Sequence, residues 1–252
     1  MSRNFELLRQ AQLRVPNSTP APKPVPVMRG RAKANLPAAA GMDVEKIARE
    51  ESLKLVQSVF LLNGAAHRVV LFAGVESGNG CSRICVEAAE ALANNATGAV
   101  CVVDANFRTP SLPDSFGTSN HYGLSDALRK DGPVRHFAKG LQPRNLWLLS
   151  CGSAASTSTG LLNSERMKSR VQELRQEFDY VLFDAPPLGA YADAIALGQL
   201  ADGVVLVLEA HSTKREAAAR VAESLRGANV KILGAVLNKR TFPIPEPLYQ
   251  LL

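Results

Sequence analysis

Long apolar runs are missing from this 252-residue chain. No stretch approaches the roughly 18 apolar residues of a membrane span, and the N-terminus has no continuous apolar region of the signal-peptide kind, so direct membrane insertion is not expected. Aromatic residues are scarce, at 6% with a single Trp. The four cysteines, Cys81, Cys85, Cys101 and Cys151, form no C-x-x-C pair and have no His at metal spacing. A cysteine-held metal site is therefore not expected, and a reduced cytosolic setting is. Acidic residues are sparse only at one end: residues 1–44 carry seven Lys/Arg against two Asp/Glu, whereas the rest carries 22 basic and 21 acidic residues. The sequence pI of 9.3 thus belongs to a tail and not to a folded face, and nucleic-acid binding by the core is not expected.

What is present fits one globular domain, since 46% apolar and 21% charged residues suit a buried core of ordinary size. Asn4 to Val15 is a marginal amphipathic helix, and Pro16 to Pro37 mixes six prolines with Ala, Val and basic residues. Residues 1–44 read as a largely disordered helix and linker, 45–242 as the domain, and 243–252 as a short tail. A helix runs from Asp43 through Phe60, and strands then alternate with helices. Strands are expected at Arg68–Gly74, Ala99–Asp104, Asn145–Ser150, Tyr180–Asp184, Gly203–Glu209 and Lys231–Asn238. Helices are expected at Gly80–Asn95, Leu161–Glu177, Ala192–Leu200 and Thr213–Arg226, with an irregular stretch from Pro110 to Pro143 that holds a short helix near Leu124 to Arg129. Strands of continuous Val, Leu and Phe are those buried on both faces, so the chain is expected to be α/β, a doubly wound and mostly parallel sheet flanked by helices.

Ligands bind such sheets at the carboxyl ends of the strands. The first strand runs into Val75-Glu-Ser77-Gly78-Asn79-Gly80-Cys81-Ser82-Arg83 and then a helix, a strand, glycine turn and helix start that form a phosphate cradle. Cys81 stands where a P-loop has its lysine, while Ser82 keeps the Mg²⁺-ligating hydroxyl position. Asp104 and Asp184 each close an apolar strand, where a P-loop protein holds Mg²⁺ or its water. A dinucleotide fold is less suited, because Arg83 occupies the third-glycine position and Asp184-Ala-Pro-Pro would have no role. A thiol at a helix N-terminus can have a lowered pKa, which opens a redox reading of Cys81 beside its reading as a small stand-in for Lys.

Several motifs in order resemble the cytoplasmic tyrosine kinases of bacterial capsule and exopolysaccharide synthesis, the CpsD/CapB family, relatives of the MinD and ParA type of P-loop ATPase. Ser77-Gly-Asn-Gly-Cys-Ser-Arg83 is similar to their P-G-E-G-K-S-T, Asp104-Ala-Asn106-Phe-Arg108-Thr-Pro110-Ser-Leu to their D-A-D-x-R-x-P-S-L, and Phe178-Asp-Tyr-Val-Leu-Phe-Asp184-Ala-Pro-Pro to their F-D-Y-V-I-I-D-T-P-P. The resemblance implies ATP or ADP at Ser77 to Arg83 with Asn238 near the adenine, Mg²⁺ at Ser82, Asp104 and Asp184, and catalysis resting on Asp104 and Asp184. It implies assembly through the helix that carries Glu51 and Lys54, as a homo-oligomer, and a membrane polysaccharide chain-length regulator as partner at the inner face of the cell membrane. Four departures bear on activity: Cys81 for Lys, Asn106 for the second Asp, Arg83 for the loop's final Thr, and Tyr249 alone in a tail where the family carries a tyrosine cluster. A charge-assisted phosphate contact is worth about 1.5–3 kcal/mol in binding. Weak or absent nucleotide binding and a pseudokinase are therefore expected, with an active kinase whose cation has moved, Arg83 first, as one alternative and a scaffold that binds no nucleotide or a MinD/ParA-like ATPase as the other.

Overall fold

A computed structural model describes residues 44–61, 67–153 and 159–239. The N-terminal helix, the proline-rich linker and the tail from 243 lie outside the described residues. Helix α1 (Val44–Val56) ends in one π-helical turn, Gln57–Leu61, whose Val59 and Phe60 are buried. Then follow β1 (Val69–Gly74), α2 (Cys81–Asn95), β2 (Val100–Asp104), the short helices α3 (Leu112–Ser115) and α4 (Leu124–Ala127), β3 (Lys139–Gly140) and β4 (Leu146–Leu149). The chain continues through α5 (Glu165–Glu177), β5 (Tyr180–Ala185), α6 (Asp193–Leu200), β6 (Gly203–Glu209), α7 (Arg215–Gly227) and β7 (Ile232–Asn238).

The seven strands form one sheet in the order β3-β4-β2-β5-β1-β6-β7, parallel except for β3. The expected α/β doubly wound architecture is the one found. Strands β1 and β2 are buried at every residue, as their unbroken apolar runs require. One face of the sheet packs on Met167, Val171 and Leu174 of α5, Leu197 of α6 and Val221 and Leu225 of α7. The other packs on Val56 of α1 and on Cys85, Ala88, Ala89 and Leu92 of α2. Phe60 meets the Tyr180 ring edge-on at 5.9 Å, which fixes the end of α1 to the sheet.

Register decides where the site lies. Asp104 and Asp184 are direct partners on the adjacent strands β2 and β5, and Phe72 of β1 pairs Asp184 on its other side. The loop after β1 therefore faces both aspartates. At the opposite end of the sheet Asp202 accepts from the backbone N–H of Arg68 and Val69 and pairs with Arg175 at 2.7 Å. These partners together hold its carboxyl below the usual carboxylate range despite partial burial.

Candidate nucleotide site

Gly78 and Gly80 take φ of 86° and 82°, left-handed values that any side chain would strain. Gly80 stands at the N-cap of α2 and has no side chain to cap it, so the helix start offers its first N–H groups as a place for an anion. A Cβ on Gly80 would also come within 2.3 Å of the Asn238 amide nitrogen. Asn238 reaches across from the end of β7 and donates to the Asn79 carbonyl at 2.9 Å. The Asn79 side chain is buried; it accepts from Glu76 N–H at 2.8 Å and donates to Thr213 Oγ1 at 3.3 Å. Asn79 is thus a brace of the loop, contributing its backbone to the cradle. Ser77 is exposed on the loop, and the segment after β5 clamps the loop's start through Leu188 N–H to Gly74 O at 2.9 Å.

The two aspartates differ. Asp104 is buried and accepts from Asn106, Ser111 and Leu112 N–H, each at 3.2 Å, so it caps the turn that begins α3. Burial raises its pKa to about 6, and those three donors hold back a larger rise. Asp184 is equally buried, yet neither of its oxygens has a well-formed hydrogen bond. Burial, and then repulsion from Asp104, raise its pKa to about 7, offset in part by the nearby Ser82 hydroxyl and Cys81 thiol. A buried carboxylate with neither oxygen well satisfied, beside the Ser82 hydroxyl, suits a hard cation. Among the described residues no group of three His, Cys, Asp or Glu is placed to hold a metal by itself. The residues fit Mg²⁺ held by Ser82 and Asp184 with phosphate and water completing its shell.

At the lysine position the Cys81 thiol is pushed well above its ordinary pKa, first by burial and then by the Asp184 charge. It is a neutral thiol, so the low-pKa redox reading is corrected: loss of hydration and a facing carboxylate outweigh the helix N-terminus. Arg83 points outward, its side chain 78% exposed and paired with Glu87 at 2.7 Å one turn along α2. Asn106 exchanges hydrogen bonds with Thr109, at 3.0 and 3.3 Å, inside its own turn. Glu51 and Lys54 pair with each other at 2.7 Å on the exposed side of α1, far from the cradle in role and built on a different element.

Two groups near the site were given no role by the sequence reading, Lys239 because it was not singled out and Arg108 because it was matched only as part of a motif. Lys239, with φ of 55°, sets its ammonium 2.8 Å from the Gly78 carbonyl and 3.1 Å from Glu209. Arg108 pairs with Asp193 at 2.9 Å and lies 3.9 Å above the Tyr191 ring, tying the loop after β2 to that after β5. The dipeptide Asn238-Lys239 at a strand end was the available signal for the first.

Residues 65–248 match the family model of ParA, described as the NUBPL iron-transfer P-loop NTPase. The chain belongs to the ParA family of P-loop NTPases. Among its curated relatives, the chain is 35% identical over 139 residues to tyrosine-protein kinase YwqD of Bacillus subtilis strain 168, covering 55% of this chain and 59% of YwqD. It is 30% identical over 182 residues to the succinoglycan biosynthesis transport protein ExoP of Rhizobium meliloti strain 1021, covering 71% of this chain and 23% of ExoP. The kinase domain of Escherichia coli tyrosine kinase ETK superposes with a TM-score of 0.72 at 24% identity, covering 86% of each chain, a likeness of fold. This ParA-family chain spans little more than half of YwqD and a quarter of ExoP, so the fold and family are shared while the activity of those whole proteins is a separate question.

Proposed function

We propose that this chain is a degenerate, kinase-like P-loop protein of exopolysaccharide or capsule biosynthesis that binds Mg-ATP or Mg-ADP weakly and regulates or scaffolds polysaccharide assembly. Its docking point is a membrane chain-length regulator, which places it peripherally at the inner face of the cell membrane. The observation that carries the reading is Cys81, a residue with no cationic group, at the start of α2 where a P-loop has its lysine, with Arg83 turned away onto Glu87. A cradle of N–H groups without its cation orients phosphates but leaves the charge that grows in phosphoryl transfer uncompensated. Bound Mg²⁺ would supply Lewis-acid charge at the phosphates. Asp184 and Ser82 would hold it, Asp104 would keep the strand end rigid, and Asn238 would set the distance between cradle and base. Descent from a polysaccharide system is supported by the ExoP likeness. Among the described residues no helix is long and apolar enough to cross a membrane, which is why attachment is assigned to a partner.

A second reading, an active tyrosine autokinase with a relocated cation, is favoured by Lys239 and not by Arg83, since the Lys239 ammonium reaches the Gly78 carbonyl whereas Arg83 turns out to Glu87. Calorimetry with Mg-ATP separates the two. Cys81→Lys is expected to tighten binding about 10- to 100-fold, the equivalent of one charge-assisted contact, and phosphotyrosine is expected to stay undetectable by mass spectrometry in wild type. Low-micromolar binding that Cys81→Lys leaves unchanged and Lys239→Ala abolishes, with phosphotyrosine lost in Asp184→Ala, would replace the first reading by the second.

A further inference from the structure

A pocket of about 170 Å³ opens beside β4, where the segment between α3 and α4 meets the turn that leads into β3. Its floor is apolar and buried, made by Phe137 and Leu148 with Ala138 alongside. Its rim carries His121, His136 and Lys139, all exposed, together with Thr118 and Ser119. Basic residues near by are each held by a carboxylate, Lys130 by Asp126, Arg135 by Glu177 and Arg166 by Asp131. Among the described residues, the side chains of His121, His136 and Lys139 have no such partner. The Thr118 hydroxyl at the wall is buried and also lacks a hydrogen bond.

The walls are fixed without a ligand. Ser150 donates its hydroxyl to the Tyr122 carbonyl at 2.7 Å, and its own carbonyl accepts from Leu124 N–H at 2.7 Å. Gly123 permits that approach, since a Cβ there would run into the Ser150 carbonyl. Asn120 ties the same segment down by accepting from Gly152 N–H at 2.8 Å. Tyr122 stacks on Phe137 with ring centroids 5.1 Å apart, which carries the apolar floor up to the rim. Ser150 follows Leu149, the partner of Val103 beside Asp104, so the pocket lies at the same end of the sheet as the nucleotide cradle. Strands β2 and β5 stand between β4 and β1, and three strand spacings set the two sites roughly 14 Å apart.

We infer that this pocket binds an aryl phosphate, the side chain of a phosphotyrosine presented by another protein. Size comes first: a cavity of about 150 Å³ accepts benzene, so the volume here suits one ring with a small substituent. The floor of Phe137, Leu148 and Ala138 offers the ring an apolar bed, and the rim offers the phosphate an ammonium and two imidazoles. Each imidazole has at least one N–H donor in either protonation state. Among the described residues no Asp, Glu, Asn or Gln lines the pocket. A phosphate carrying about two negative charges therefore meets no carboxylate there. The same lack tells against a sugar phosphate, whose ring of hydroxyls calls for carboxylate or amide acceptors. A phosphoserine reaches the rim but leaves the apolar floor unfilled. In the setting proposed above, a kinase-like chain without the P-loop lysine reads the tyrosine phosphorylation that an active kinase writes. Only that last step rests on the kinase-like reading; the pocket uses no residue of the cradle.

Calorimetry on the full chain with phenyl phosphate, and with a short peptide that carries one phosphotyrosine, tests this. Both are expected to bind, the peptide at least as tightly as phenyl phosphate. Glucose 1-phosphate, the matched phosphoserine peptide and the unphosphorylated peptide are expected to bind at least tenfold more weakly. Lys139→Met, which keeps the stem and removes the ammonium, is expected to weaken phenyl phosphate and the phosphotyrosine peptide at least tenfold, and Lys139→Arg to retain most of the affinity. Neither variant is expected to change melting or Mg-ATP binding, because Lys139 is exposed and three strands from the cradle. A chain that binds no nucleotide at all leaves these expectations standing, so the two readings fail separately. Absence of phenyl phosphate binding overturns the inference, as does binding that Lys139→Met leaves unchanged, which would put the anion in the cradle. Equal affinity for glucose 1-phosphate or the phosphoserine peptide overturns it too, and so does binding of phenyl phosphate without binding of the phosphotyrosine peptide.

Discussion

Two aspartates that look alike in the sequence, each closing an apolar strand, turn out to hold different posts. Asp104 is consumed by three backbone donors, and Asp184 has none of good geometry. The distinction lay in residues seven and eight positions downstream of Asp104, where Ser111 and Leu112 bend back on it, and pattern along a strand carries no trace of that return. Asp184 therefore stores a cost that folding must meet when nothing is bound. Its folded pKa, about 7, stands above the ordinary 3.8. Above pH 7 both folded and unfolded chains have lost the proton, and the folded chain holds a buried charge; between about pH 7 and 4 the folded chain takes up the proton first, so stability rises as pH falls. Asp184→Asn keeps the shape without the charge. Thermal melts without nucleotide are expected to show it more stable than wild type at pH 8, by on the order of 2–4 kcal/mol, with the gap closing toward pH 4.5. A variant no more stable than wild type at pH 8 would mean that the carboxylate is already compensated in the free protein.

Elements were legible where period and punctuation agree. Six of the strands, and the longer helices apart from the start of α5, lie within a residue or two of where apolar runs and turn residues put them, α2 ending at Asn95 as the spacing required. Three short pieces had no such signal. Strand β3 is two exposed residues held antiparallel to Leu148 and Trp147, and α3 is a single turn that owes its start to the Asp104 carboxylate. The predicted start of α5 at Leu161 is instead a 3-10 turn, Thr159–Asn163, because Ser164 caps the α-helix by accepting from Met167 N–H. Helix α5 also carries a feature hidden from pattern: Arg170, on its buried face and 2% exposed, donates to the carbonyls of Ala127, Lys130 and Gly132 and pairs with Glu173. A charged residue there reads as surface in the sequence. Physically it closes the C-terminal end of α4 and the turn behind it, where carbonyls would otherwise lie buried and unmet. Arg170→Ala is expected to cost about 3 kcal/mol in denaturant unfolding, and Arg170→Lys a smaller part of that because one ammonium cannot span three acceptors. A cost under about 0.5 kcal/mol for the alanine variant would show that water replaces the guanidinium.

At the scale of the whole molecule, α1 divides its surface between two tasks. Its end, from Val56 to Phe60, contributes to the sheet-covering core, while Glu51 and Lys54 stand exposed and pair with each other. Assembly is what the sequence resemblance implies for this helix; its burial pattern gives Val56 to the core and leaves Glu51 and Lys54 exposed. Charge reversal of both, Glu51→Lys with Lys54→Glu, exchanges the two ends of a surface pair that is worth at most about 1 kcal/mol, so the melting temperature is expected to move by little. If the helix serves assembly, the same swap alters the field it presents to a neighbouring copy or to a membrane regulator, since opposed charges set register between partners more than they set affinity. Light scattering at tens of micromolar, roughly the concentration range where weak association registers, and pull-down from solubilised membranes provide the readouts. Wild type is expected to form oligomers or to retain a membrane partner, and the swapped variant to lose one or both while remaining folded. A wild-type chain that stays monomeric and retains no membrane protein, or a swapped variant indistinguishable from it, would remove α1 from assembly and leave the helix as cover for the sheet.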